Sequence, residues 1–153
     1  MIVALEVLKV NRSDFKQVER TLVITDKGVS TLEKGKFKAR VPLENVSGFS
    51  ASNKKDNVLV IHCDNEKKGD LWFVLPDAAT LVEVFVRVQR MMERVVKKKP
   101  ATKVSESFNS SNGKTSGPIK FVEEPVPELS FKKEGKEGAL CLVPNGAAPA
   151  GSS

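Results

Sequence analysis

Four basic side chains near the start of the chain, the basic rim, are of types that can bind phosphate. Lys9 and Arg20 lie where the first two predicted strands end and begin, and Arg12 and Lys16 lie in the connection between them. If the two strands form a hairpin, all four cations surround one open end of it. Arginine offers a planar fork for phosphate oxygens, whereas lysine acts as a mobile point charge. We therefore expect an anion site with Arg20 as its anchor and Lys9 as its adjustable partner.

A second group of basic residues could add charge around this rim. It comprises Lys34, Lys36, Lys38 and Arg40 in the next hairpin and Lys54 and Lys55 in a later loop. Each basic residue near an anionic leaflet contributes about 1 kcal/mol, so the rim of four supplies on the order of 4 kcal/mol, which is weak and reversible. The second group would add attraction that salt screens over roughly 8–10 Å. The alternative is that these side chains are solvated charges without a binding role.

Residues suited to covalent, acid–base or metal chemistry are few. His62 is the only histidine, and its place in a predicted strand favours a packed or hydrogen-bonded role. Cys63 and Cys141 lie far apart without the close Cys and His neighbours that zinc or redox sites need, so we expect buried, small apolar side chains. Two cysteines also favour a reducing, cytoplasmic compartment over a disulfide scaffold. The sequence thus predicts no catalytic site, no cofactor and no metal.

The elements that would hold the basic rim are strands followed by one helix. Short apolar runs between turn residues predict about seven strands, at 3–7, 21–25, 28–32, 37–41, 46–52, 58–63 and 70–75. After Asp77, a good N-cap, the apolar spacing changes to that of a helix, with apolar residues at Leu81, Phe85, Val88, Met92 and Val95. We predict a mainly β (α+β) fold, a seven-stranded antiparallel barrel closed by one C-terminal helix. This plan resembles the pleckstrin-homology fold.

The rest of the chain is predicted to extend the same domain. Residues 1–99 would form the barrel and helix, and the polar, Ser-rich stretch 100–117 a flexible linker. Alternating apolar residues then predict a small β appendage over 118–146, followed by a disordered tail at 147–153.

Composition narrows the class of partner. The net charge of +6 and the pI near 9.4 favour an anionic partner, either a membrane surface or a nucleic acid. With no Tyr and one Trp, the chain offers few side chains for base stacking, so no specific nucleic acid is expected. Because apolar residues occur only in short runs, no membrane-spanning helix is expected. A peptide-binding adaptor that adds a partner strand to an exposed sheet edge remains an alternative.

Several motifs in order resemble the tail-homology-one domain of class I myosins. They are the basic residues from Lys9 to Arg20 with 21–25, the run 41–52 (VPLENVSGFSAS), Asp56 before 58–62, and 68–71 (KGDL). The resemblance extends from about Lys9 to Val96, and 117–146 also looks like the C-terminal part of that domain.

The resemblance implies a pleckstrin-homology-like, non-catalytic domain that binds phosphoinositides and other anionic phospholipids. Such a domain tethers an actin-based motor, in the same or another chain, to the cytosolic face of membranes at the actin cortex. The family's lipid-binding pattern is a basic residue late in the first strand, then a basic-x-Arg triplet at the start of the second. Lys9 and Arg20 match its outer positions, and Val18 departs at the middle one.

Overall fold

The computed structural model describes residues 3–11, 15–52, 56–63, 70–95, 97, 101–105, 107–111, 116–124, 126, 128–134 and 138–144. The strands are β1 Val3–Val10, β2 Gln17–Thr25, β3 Gly28–Glu33, β4 Lys36–Pro42, β5 Val46–Ser52, β6 Val58–Cys63, β7 Leu71–Val74, β8 Ala101–Ser105, β9 Ser107–Ser111, β10 Ser116–Glu124, β11 Ser130–Glu134 and β12 Gly138–Pro144. The helix α1 spans Ala78–Val95, and a short 3-10 turn, Leu43–Asn45, joins β4 to β5.

The first sheet contains the seven strands that the sequence predicted, plus one more. Its order is β4-β3-β2-β1-β7-β6-β5-β8, with antiparallel neighbours except for β8, which runs parallel to β5. The seven strands and the helix after them confirm the predicted plan. Among the described residues, hydrogen bonds do not close this sheet into a barrel, since β4 and β8 remain its two edges.

The helix packs its apolar side against the inner face of the first sheet. Val84, Val88, Met91 and Met92 are buried there, while Val95, predicted on the apolar stripe, is exposed. At the N-terminus the Asp77 side chain accepts a hydrogen bond from the backbone N–H of Thr80 at 2.7 Å, as expected of an N-cap. Within the described residues, no helix combines the length and the apolar character that a bilayer crossing requires.

A second sheet, in the order β11-β12-β10-β9, covers the outer face of the first. It buries Phe108, Ile119 and Cys141 against Val60 and Trp72. Strands β10 to β12 lie in the region for which the sequence predicted a β appendage, at 118–146. The stretch 100–117 differs from the predicted linker, because its described residues form β8 and β9 and pair with β5 and β10. The predicted tail 147–153 lies outside the described residues.

Candidate anion-binding site

Strand register brings Lys9 and Arg20 to one face of the first sheet. In the β1–β2 pair Lys9 lies opposite Val18, and Val7 lies opposite Arg20. Directly opposed residues share a face, as do residues two apart in one strand. Lys9 and Arg20 are therefore diagonal neighbours, each partly buried, at the end of β1 and β2 that leads into their connecting loop.

Arg20 lies where the apolar inner face of β2 meets solvent. Leu22, the next residue on that face, is fully buried, whereas the Arg20 side chain keeps 17% of its surface exposed. Its Nη1 donates to Glu33 Oε2 at 2.9 Å and to the carbonyl oxygen of Glu19 at 2.7 Å. The arginine is thus held in place by one carboxylate and one backbone oxygen.

Glu33 is an acidic neighbour of Arg20 that the sequence prediction missed. Its second oxygen, Oε1, pairs with Lys38 Nζ at 3.3 Å, so one carboxylate bridges two cations. The hydrogen bond from Lys38, followed by the charges of Arg20 and Lys38, lowers the pKa of Glu33 below its ordinary value. Its position as the last residue of β3, directly before the Lys34–Gly35 turn, was the available signal, since that end of β3 lies beside Arg20.

The other two rim residues lie in the loop between β1 and β2. Lys16 is exposed and directly precedes β2, and its carbonyl oxygen accepts from the backbone N–H of Asn11 at 2.9 Å. Lys9 Nζ donates to Asn11 Oδ1 at 3.4 Å, which is a long and weak hydrogen bond. Arg12 lies outside the described residues.

The loop is anchored to the second sheet by Phe15. This residue adopts a left-handed backbone conformation with φ of 59°, and its ring stacks at 6.2 Å from Trp72 and 6.4 Å from Phe131. A side chain larger than glycine rarely takes this conformation, so the ring contacts must offset its cost. Phe15, which directly precedes Lys16, therefore has a defined position.

The groove beside Arg20 is not itself a basic pocket. It has a volume of about 560 Å³, and the carboxylates of Glu6, Glu19 and Glu33 line it together with Arg20 and Lys34. Three acids against two bases would not attract a phosphate. Of the described rim residues, Lys16 is exposed, whereas Lys9 and Arg20 are partly buried.

The predicted auxiliary group is exposed on the β3–β4 hairpin, residues 28–42. Lys34, Lys36, Lys38 and Arg40 all face solvent, and Lys54 and Lys55 lie outside the described residues. Lys34 and Gly35 both have positive φ, at 51° and 83°, as a two-residue hairpin turn requires. Strand β4 is an edge of the first sheet, and its pairing with β3 shifts register between Thr31 and Leu32. Basic side chains on such an edge discourage pairing with an edge strand of another molecule.

His62 has the hydrogen-bonded role that the sequence favoured, within a larger network than expected. Its Nε2 lies 2.6 Å from Ser50 Oγ, and its Nδ1 lies 2.7 Å from Asp70 Oδ2. Serine, histidine and aspartate in this order match the geometry of a hydrolytic triad. Ser50, however, lies between the two sheets with 3% of its surface exposed, so a substrate has no access to its oxygen.

The same network joins the two sheets. Asp70 also accepts from Ser110 Oγ at 3.0 Å and from the backbone N–H of Cys63 at 3.0 Å. Trp72 Nε1 in turn donates to Ser110 Oγ at 2.8 Å. Cys63 and Cys141 are buried, as predicted, and form no disulfide, and no group of three potential metal ligands occurs among the described residues. These side chains are structural.

A second concave surface is apolar. It has a volume of about 880 Å³ and lies between α1 and β8, with Leu81, Val82, Phe85 and Val86 on one side and Val104 on the other. Val82 and Val104 are exposed.

The amino-acid sequence matches the family model described as "Unconventional myosin tail, actin- and lipid-binding" over residues 1–146. The chain belongs to this family. Unconventional myosin-Ic-A of Xenopus laevis is 31% identical over 143 residues, which are 92% of this chain and 13% of that protein. Unconventional myosin-Ia of Homo sapiens is 26% identical over 88% of this chain and 14% of its own length. The chain thus spans about one seventh of these relatives.

Solved structures give the fold of this myosin tail domain. The pleckstrin-homology domain of human oxysterol-binding protein-related protein 11 has a TM-score of 0.54 at 12% identity, covering 63% of this chain and 84% of that one. The N-terminal pleckstrin-homology domain of human ARAP2 has a TM-score of 0.51 at 11% identity, covering 61% and 80%. The predicted pleckstrin-homology-like fold is confirmed, and the matched family is that of unconventional myosin tails.

Proposed function

We propose that this myosin tail domain docks on anionic phospholipid surfaces, phosphoinositides among them, through the basic rim of Lys9, Arg12, Lys16 and Arg20. Docking would tether an actin-based motor, in the same or another chain, to the cytosolic face of a membrane. The observation that carries the proposal is the β1–β2 register, which sets Lys9 and Arg20 on one face at the loop end of the hairpin. The stacking on Trp72 of Phe15, which directly precedes Lys16, supports it.

The contacts of Arg20 suggest how a headgroup would bind. Both of its hydrogen bonds to Glu33 and Glu19 use Nη1. A phosphate approaching from solvent can take the remaining guanidinium donors while Glu33 continues to orient the fork. Since each cation contributes about 1 kcal/mol at the surface, lasting attachment needs the exposed charges of the β3–β4 hairpin as well.

Vesicle sedimentation tests this function. Binding to vesicles of phosphatidylcholine alone is compared with binding to vesicles that also contain phosphatidylserine, with and without a phosphoinositide. We expect binding only with anionic lipid, and about a fivefold loss for Lys9→Ala and for Arg20→Ala, since about 1 kcal/mol corresponds to roughly that factor. Added salt should weaken the interaction.

Lys27→Ala is the matched control. Lys27 is exposed in the turn between β2 and β3, at the opposite end of β2 from the basic rim, and its replacement removes the same charge. If Lys27→Ala and Arg20→Ala lose vesicle binding equally, binding depends only on the net charge of the protein. Wild-type protein that ignores anionic vesicles but is retained by RNA would support a nucleic-acid adaptor instead.

Strand β8 occupies one sheet edge that a peptide partner could otherwise use. A strand added beside β5 would need the edge of Gly48 to Ser52, and residues 101–105 already pair there. What still favours a protein partner is the apolar surface between α1 and β8. If that surface serves a protein alone, Val82→Glu will leave vesicle binding unchanged.

A further inference from the structure

Phe37 is the one exposed phenylalanine in the described residues, which include all eight in the chain. It keeps 60% of its surface in contact with solvent, whereas the other seven are buried or half-buried. An isolated exposed apolar side chain is common on protein surfaces. Phe37 differs because of its position on an edge strand and because of the charges around it.

Phe37 lies close to the tip of the β3–β4 hairpin, next to the basic rim. It is opposite Leu32, two residues beyond the Lys34–Gly35 turn. Glu33, at the start of that turn, contacts Arg20 at 2.9 Å and Lys38 at 3.3 Å. One ion pair, Arg20–Glu33, therefore joins the basic rim to the hairpin tip. Phe37 shares the sheet face of Leu32 and Thr21, which is the face opposite to that of Arg20, so a surface that meets both residues must approach the loop end of the sheet.

The charge around Phe37 selects an anionic partner. From Glu33 to Arg40 the hairpin carries four basic side chains, at 34, 36, 38 and 40, against one acidic one. The guanidinium carbon of Arg40 lies 4.7 Å from the centre of the Phe37 ring, a cation–π contact that covers part of the ring in water. Long basic side chains can keep their charged ends among headgroups while a neighbouring ring goes deeper.

We propose that Phe37 inserts at the boundary between headgroups and acyl chains when the basic rim docks on an anionic bilayer. The inference rests on the proposed function and adds to it an apolar anchor that the rim lacks. Arg40 then exchanges its contact with the ring for lipid phosphate. Because burial of the ring is not a charge interaction, part of the binding should persist when salt screens the cations.

Two substitutions of Phe37 test the insertion. Phe37→Ala keeps every charge, and we expect it to lower partitioning onto phosphatidylserine vesicles about fivefold to tenfold, with the salt-resistant part of binding lost. Phe37→Trp reports depth directly, since the native Trp72 is 1% exposed and gives a constant background. We expect the added indole emission to shift to the blue on these vesicles and to be quenched by brominated acyl chains.

Val82→Ala is the control, because Val82 is a similarly exposed apolar residue on α1, with 62% of its surface accessible. It should bind like wild type. Wild-type binding by Phe37→Ala together with unshifted emission in Phe37→Trp would overturn insertion, yet leave the proposed function intact if Arg20→Ala still weakens binding. Failure of the wild-type protein to bind anionic vesicles would remove both proposals.

Discussion

The basic rim and the interface between the two sheets both gather polar side chains from neighbouring strands, yet they use them differently. At the interface, Ser50, His62, Asp70 and Ser110 hydrogen-bond to one another and little of their surface meets water. At the rim, Arg20 is held by one carboxylate and remains partly exposed. Residue types suited to catalysis are structural here, and function is expected where charged donors still face solvent.

Asp70→Ala should weaken the interface between the two sheets, and we expect it to have the largest effect on stability. Asp70 accepts hydrogen bonds from His62, Ser110 and the backbone of Cys63, and its removal leaves these buried groups without their partner. We expect the free energy of unfolding in urea to fall by about 3–5 kcal/mol. Folded protein should still bind anionic vesicles with wild-type affinity, because the basic rim is unchanged.

The control for that change is Glu124→Ala, which removes an exposed carboxylate from β10 and should alter stability by less than about 0.5 kcal/mol. If Asp70→Ala were as stable as wild type but bound vesicles poorly, the division between a structural interface and a functional rim would be wrong.

Glu33→Gln tests the basic rim rather than the interface between the two sheets. The substitution removes the negative charge that pairs with Arg20 and Lys38. We expect binding to phosphatidylserine vesicles to strengthen about twofold to fivefold, since two cations become freer to meet lipid phosphate. Glu44→Gln makes the same charge change in the exposed turn after β4, and should leave binding nearly unaltered. Weaker binding in Glu33→Gln would mean that the carboxylate is needed to orient Arg20.

The smallest expected effect concerns Asp56, a buried acid outside the network. Its Oδ1 accepts from the backbone N–H of Val58 at 2.8 Å, while Oδ2 has no hydrogen-bond partner among the described residues. Burial raises the pKa of Asp56 above its ordinary 3.8, because the charged form loses hydration. Ionisation therefore costs the folded state free energy as the pH rises from about 4 through the raised pKa.

Asp56→Asn cannot ionise, so its stability relative to wild type should improve as the pH is raised from about 4 to about 7. Urea unfolding of both proteins across that range measures the trend, with the exposed Asp26→Asn as reference. A stability difference that does not change with pH would show that Asp56 ionises without penalty.

Local patterns predicted much of this molecule, and non-local pairing accounts for what was missed. The seven strands and α1 follow from apolar alternation, from turn residues such as Lys34–Gly35, and from the Asp77 cap. The nearness of Lys9 and Arg20 follows from a single hairpin register. These features need only residues close in sequence.

The missed features depend on partners far along the chain. The Ser-rich stretch around 101–111 has little apolar content, and it becomes β8 and β9 because β5 and β10 offer open edges. Likewise, His62 and Asp70 meet Ser110 only once the second sheet is in place.

Strand β6 is buried on both faces, which limits where the domain can be shortened. Leu59 and Ile61 point toward the helix, while Val58 and Val60 point toward the second sheet, and all four are fully buried. A fragment cut after α1 would lack the second sheet, and it would expose Val58, Val60 and Trp72. Such a fragment would be prone to self-association, and studies with shortened proteins should retain every residue as far as Pro144.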